Sequence, residues 1–152
     1  MDSRKKPDDS WTTFALSIFR LHGLIMQVGE DIVRPIGQSS ARWQVLGRAF
    51  EPQTVAAMAR GAGLARQSVQ RVANALAREG LVVYKNHPTD RRTRLLELTP
   101  QGMEALTAIY TRQMEWSKRV MPKLDQKRLA DTVSGLESIG RVLETEINVS
   151  KE

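Results

Sequence analysis

The stretch Ala59-Arg60-Gly61-Ala62-Gly63-Leu64-Ala65-Arg66-Gln67-Ser68-Val69-Gln70-Arg71-Val72 decides the fold of this chain. Two helices that cross closely need a small residue on the first and a glycine in the turn. They also need branched apolar residues about one turn apart on the second. Ala59, Gly63, Val69 and Val72 fill those positions, with Met58 and Leu64 placed to plug the angle between the helices. Arg66, Gln67, Ser68, Gln70, Arg71, Asn74 and Arg78 are left on the outer face of the second helix. Such side chains suit phosphate oxygens and base edges, so the pattern predicts a helix-turn-helix that reads DNA.

Downstream, Leu81-Val82-Val83-Tyr84 and residues 95–98 are short β-rich runs. Between them lies Asn86-His87-Pro88-Thr89-Asp90-Arg91-Arg92, a polar, Pro-punctuated loop suited to a long hairpin. A helix-turn-helix followed at once by a hairpin with a basic tip is a winged helix. Here the chain resembles the MarR family of bacterial transcriptional regulators. The resemblance rests on residues 59–72, on Glu79-Gly80-Leu81-Val82, and on Asp90-Arg91-Arg92 leading into Leu98-Thr99-Pro100-Gln101-Gly102. The Asp-x-Arg wing followed by Leu-Thr-x-x-Gly is its most specific part. Ala65 departs from the family pattern, which often has Ser or Thr at the start of the recognition helix. It forgoes a cap worth about 1 kcal/mol and a hydroxyl for phosphate, a contact that Ser68 is placed to take over.

The 152 residues suffice for one compact domain or two small lobes sharing helices. With 23 Lys and Arg against 17 Asp and Glu, the net charge of +6 favours a polyanionic partner. The charge also has a location, since Arg66, Arg71, Arg78, Arg91, Arg92 and Arg94 all fall in the predicted reading lobe. The chain has no cysteine, which rules out a disulfide framework and a thiolate metal site. No apolar run is long enough to span a bilayer and the N-terminus has no signal-peptide core, so a cytoplasmic protein without membrane contact is expected.

Taken in order, a charged N-terminal stretch carries Lys5-Lys6-Pro7, which could brush phosphates, although a solvated terminus is the plainer reading. Ser10 is positioned to cap a long helix ending near Pro35, with Trp11, Phe14, Ile18, Leu21, Ile25, Val28 and Ile32 forming an apolar seam. Ser39 or Ser40 caps the next helix, whose inward set is Trp43, Leu46, Ala49 and Phe50; Thr54 opens the reading motif. Beyond the wing, Thr99-Pro100 starts a helix carrying Met103, Leu106, Tyr110, Met114 and Val120, which Pro122 stops. Asp125 caps a last helix with Leu129, Val133, Leu136, Leu143 and Ile147 on one face. The terminal helices carry more apolar surface than one small lobe would use, and a symmetric dimer is the simplest way to bury it. The expected class is mainly α: a winged helix-turn-helix with a short β-hairpin wing at residues 36–99. By the resemblance, the flanking helices at residues 10–35 and 100–148 form a dimerisation lobe.

Arg66, Gln67, Gln70 and Arg71 are the base-contact candidates, because Arg can bind guanine and Gln adenine through two hydrogen bonds. Ser68 and Asn74 suit phosphate oxygens. The resemblance implies that Arg92 enters the minor groove, with Asp90 holding its guanidinium through a planar paired contact. Arg91 and Arg94 are then phosphate contacts. It also implies a small aromatic or anionic effector bound where the two lobes meet, and His22, Met26 and Trp43 fall on helices that would frame such a cleft. At helical spacing Met26, Trp43, Met103, Met114 and Trp116 also read as core, and His22 as a hydrogen-bonded packing residue.

No nucleophile set, metal-ligand set, phosphate-cradling loop or paired carboxylate stands out, so neither an enzyme nor a cofactor or metal is expected. The predicted activity is that of a homodimeric, ligand-responsive repressor on double-stranded DNA with an inverted-repeat operator. Two rival readings stay open: a DNA-binding regulator without an inducer, and a winged helix that docks an acidic protein.

Overall fold

The computed structural model describes residues 9–150; the Lys5-Lys6-Pro7 segment lies outside them. Contacts divide the chain into two compact units, one running to Gln113 and the other from Met114.

In the first unit, helix α1 spans Ser10–Val33. Its cap is Asp9, one residue before the expected Ser10, because the Asp9 carboxylate accepts the Thr12 amide at 3.0 Å. A charged carboxylate also meets the positive end of a helix better than a hydroxyl. A 3-10 turn, Arg34–Ile36, carries Pro35 and closes on Gly37 at φ 70°, the left-handed region that a side chain disfavours. Helix α2, Ser40–Arg48, is capped by Ser39, which accepts the Arg42 amide. Ser40 is buried against α1 instead, its amide donating to Glu30 Oε2 at 2.9 Å and its hydroxyl to the Met26 carbonyl.

Helix α3, Val55–Ala62, begins at the Thr54 cap and ends at Gly63, whose φ of 63° makes the predicted turn. Helix α4, Arg66–Arg78, follows directly. Strands β1, Val82–Asn86, and β2, Arg94–Leu98, pair antiparallel with Val82 opposite Leu98 and Asn86 opposite Arg94. A further rung is absent from the sequence reading: Gln53 bridges Leu96 through both backbone bonds, tying the approach to α3 onto the wing. Helix α5, Pro100–Val120, starts where Thr99 accepts the Gly102 amide at 3.0 Å.

The core of this unit gathers Val33, Leu46, Met58, Leu76, Leu96, Leu106 and Ile109, all essentially inaccessible. Each such side chain contributes about 1.5–3 kcal/mol on burial. Arg112 donates from Nε to the Ile32 carbonyl at 2.5 Å, satisfying an acceptor at the end of α1. Four inward assignments do not hold. Phe50 lies in the turn after α2, beyond the reach of the helical stripe, and is 59% exposed. Leu64 is exposed because the tight turn at Gly63 carries it past the helix angle that Met58 fills. Met103 and Met114 are exposed too, since Leu106 and Ile109 form the buried stripe of α5.

The second unit holds the end of α5, a 3-10 turn Met121–Lys123 containing Pro122, and helix α6, Gln126–Val149, capped by Asp125. Leu129, Val133, Leu136, Leu143 and Ile147 share one face of α6, and all are exposed.

Candidate nucleic-acid interface

Helix α4 turns its apolar positions Val69, Ala73 and Leu76 into the core. By the 3.6-residue period its opposite face must then carry the polar set. Arg66, Gln67, Gln70, Arg71, Asn74 and Arg78 line one continuous groove there. A second depression, between α4, the start of α3 and the wing, brings Arg66, Gln70 and Asn74 together with Tyr84, Arg92 and Arg94. Neither lining includes a carboxylate. Among the described residues, Arg66, Arg71, Arg91 and Arg92 form no ion pair, so their charge is free for a polyanion. Ser68 is exposed on the first turn of α4. Ala65 holds the extended conformation of a cap, φ −65° and ψ 133°, but makes no side-chain cap bond.

Two contacts differ from the sequence expectation. Asp90 does not grip the Arg92 guanidinium: its Oδ1 accepts the Arg92 backbone amide at 3.0 Å and its Oδ2 the Thr93 hydroxyl at 2.5 Å. A short side chain bonding the backbone two residues on is the Asx turn, which here outcompetes a pairing through the long arginine. Those bonds, the Thr93 hydroxyl foremost, hold the Asp90 carboxyl below its usual range. The carboxylate thus shapes the wing tip and leaves the Arg92 side chain outside it.

Gln70 and Asn74 are likewise engaged within the protein. Gln70 Nε2 donates to Asn74 Oδ1 at 2.9 Å and to the Tyr84 hydroxyl at 2.7 Å, and that hydroxyl donates to Asn74 Oδ1 at 2.8 Å. The Arg94 guanidinium lies 5.6 Å from the centroid of the Tyr84 ring. Sequence reasoning missed Tyr84. The i,i+4 spacing of Gln70 and Asn74 was visible, but only the hairpin register brings a strand residue to them.

Elsewhere in the first unit, His22, Met26 and Trp43 line a single cleft of about 500 Å³ together with Ile25, Gln44 and Arg48. His22 is exposed at its rim rather than packed. Arg48 donates to the carbonyls of Gln44 and Gly61, which fixes its guanidinium between α2 and the end of α3.

A helix-turn-helix with a cationic, carboxylate-free reading face and an adjoining wing defines a winged-helix DNA-binding protein. Residues 44–93 match the family model described as MarR family. An uncharacterised protein of Mycobacterium tuberculosis is 35% identical over 129 residues, covering 84% of this chain and 90% of its own. Among solved structures, Staphylococcus aureus MarR in complex with salicylate and kanamycin superposes with a TM-score of 0.73 at 19% identity, covering 89% of this chain and 93% of that one. CouR from Rhodococcus jostii bound to p-coumaroyl-CoA does so with a TM-score of 0.73 at 24% identity, covering 87% and 92%. The chain belongs to the MarR family of winged-helix, DNA-binding transcriptional regulators.

Proposed function

We propose that this regulator is a homodimeric, ligand-responsive repressor that binds an inverted-repeat operator. The observation that carries the DNA reading is the carboxylate-free face of α4 continuous with the cationic wing. Each protomer inserts α4 into a major groove, with Arg66, Gln67, Gln70 and Arg71 toward base edges and Ser68 and Asn74 toward phosphates. Arg92 enters the flanking minor groove, Asp90 shapes the loop that presents it, and Arg91 and Arg94 meet backbone phosphates. The two reading helices then sit about 34 Å apart, one turn of DNA. The apolar residues exposed on α1, such as Leu16 and Phe19, and the stripe on α6 favour a dimerisation lobe built from residues 10–35 and 100–148, around winged-helix lobes at residues 36–99.

The effector site in this reading is the cleft of His22, Met26 and Trp43. Its apolar walls suit an aromatic ring, and Arg48 and His22 suit an anionic substituent. The S. aureus and R. jostii structures, described with salicylate and with p-coumaroyl-CoA, support an aromatic acid or its derivative. Such a ligand releases DNA only if it binds better to a spacing of the reading heads that the operator rejects.

The deciding measurement is binding of the full chain to inverted repeats upstream of its own gene, titrated against salt with random duplex as competitor. One dimer per repeat, resistant to the competitor and displaced by an aromatic acid, is the expected result. Binding that ignores sequence would sink the operator reading, and binding indifferent to every aromatic acid would sink the inducer.

A further inference from the structure

The triad of Gln70, Asn74 and Tyr84 joins the outer face of α4 to the wing, and its hydrogen-bond arithmetic limits what that face can read. A glutamine that reads adenine through two bonds must donate from Nε2 and accept at Oε1 at the same time. In this structure Gln70 Nε2 faces inward and donates both to Asn74 Oδ1 and to the Tyr84 hydroxyl. Only Oε1 remains for a partner. Asn74 is the complement: its Oδ1 accepts from Gln70 and from Tyr84, leaving Nδ2 as a donor. Turning both amides over and reversing the phenol proton exchanges the two roles and keeps the rule. In either arrangement one amide offers a donor and the other an acceptor, and neither offers both.

Tyr84 is well held for this task. Its ring lies on β1, is half-buried, and carries the Arg94 guanidinium 5.6 Å from its centroid. Burial pushes the phenol above its ordinary pKa, so the hydroxyl keeps the proton it donates to Asn74.

We propose that Tyr84 is a specificity-determining positioning residue: from the wing it locks Gln70 and Asn74 into one donor–acceptor pair, so that α4 does not read adenine through two bonds to Gln70. The inference rests on the DNA-reading proposal above and adds that wing and recognition helix act as one reading unit. A base change opposite Gln70 is then sensed through a residue that need not touch DNA.

The test is selection of binding sites from a random duplex library by the full chain, by Tyr84→Phe, by Gln70→Ala and by the double variant. Phenylalanine keeps the ring and the Arg94 contact and removes only the hydroxyl. The expected result is a change of about 2- to 10-fold in base preference, the size of one hydrogen bond, at a single position in each half-site. That position is the one whose preference Gln70→Ala abolishes, and in Tyr84→Phe it shifts toward adenine. The salt slope stays at the wild-type value and the melting temperature falls by no more than the loss of the hydroxyl's own hydrogen bonds, whereas a merely structural role for Tyr84 would weaken binding to all sequences alike. The double variant selects as Gln70→Ala does. A Tyr84→Phe variant that selects the wild-type motif unchanged, or weakens all sequences alike, overturns the proposal. If the wild-type chain itself enriches no motif, the DNA-reading proposal falls and takes this inference with it.

Discussion

Arg42 and Glu79 clasp each other across the helix-turn-helix, Nη1 to Oε1 at 2.8 Å and Nη2 to Oε2 at 2.5 Å. Arg42 stands on α2, which lines the cleft, and Glu79 closes the C-terminal end of α4. A carboxylate there opposes the helix dipole, so the guanidinium offsets an unfavourable placement as well as joining two elements. The contact holds the Glu79 carboxyl below its ordinary range, chiefly through the hydrogen bonds from Arg42, and raises Arg42. The Glu79 side chain is 51% exposed, which limits the pair to the surface range of about 0.5–1 kcal/mol. Because the folded pKa is depressed, this stabilisation is present above the unfolded value of about 4.3 and is lost as pH falls through the folded one. Glu79→Gln should therefore unfold at lower urea near pH 7, with a deficit that shrinks as pH falls below about 4.3. A deficit that stays constant through that range would mean the carboxylate charge is not what matters.

Gly102 sits where no other residue fits. A Cβ there would lie 1.8 Å from the Leu81 carbonyl oxygen and 2.8 Å from its carbon, both backbone atoms that cannot swing aside. Thr99 sets this approach, accepting the Gly102 amide while donating to the Gly80 carbonyl at 2.6 Å. Gly102→Ala should destabilise by about 1–3 kcal/mol, toward the upper end because backbone must move. Gly61→Ala is the contrasting case, since nothing lies within 4 Å of its added carbon and a helical alanine gains about 0.5–1 kcal/mol. Urea midpoints that shift in opposite directions for the two variants would bear this out, and a neutral Gly102→Ala would not.

The contrast between those glycines and the polar side chains of the α4 groove marks what a sequence can carry. Local rules were enough for the turn at Gly63, the uncapped start of α4 at Ala65, and the inward positions Val69 and Met58. Each depends on neighbours within a turn or on a face set by period. Long-range partnership was not legible. Nothing near Gln70 announces Tyr84, fourteen residues on, as the group that occupies its amide, and nothing near Gln53 announces the rung to Leu96. Asp90 fell to a competition between a local and a distant partner, and the local one won because a short side chain loses less freedom in a turn. Gly102 was legible only as part of a motif; the clash that requires it is a tertiary fact.

The arginines of the interface separate by the kind of contact they offer. Arg66 and Arg71 stand on the groove face of α4, whereas Arg91 lies exposed at the wing tip beside the Asp90 turn. Replacing Arg66 or Arg71 by Ala should cost about 1–3 kcal/mol on the preferred site and relax base preference at one position. Arg91→Ala should weaken every sequence to a similar degree and lower the salt slope by about one. Salt-dependent titrations on operator and random duplex distinguish the two patterns. Loss of base preference in Arg91→Ala, with Arg66 and Arg71 silent, would reverse the assignment of reading and anchoring.

Ala65 offers the last test, because its backbone already has a cap's conformation without a cap's side chain. The Ser68 and Val69 amides both turn back to the Ala65 carbonyl, at 3.0 and 3.2 Å, while the side-chain acceptor that Thr54 and Asp125 supply to their own helices is missing. Ala65→Ser should therefore stabilise the free protein by about 0.5–1 kcal/mol without rearranging α4. The amides of Arg66 and Gln67 ahead of them have no carbonyl of their own helix to bond, and such amides at a helix start are what a DNA phosphate would engage. A serine hydroxyl that satisfies one of them competes with that phosphate, so the gain in stability should bring no gain in affinity. Thermal unfolding and operator titration of the one variant measure both effects. An Ala65→Ser variant that gains affinity and stability together would mean that phosphate binding does not use the first turn of α4.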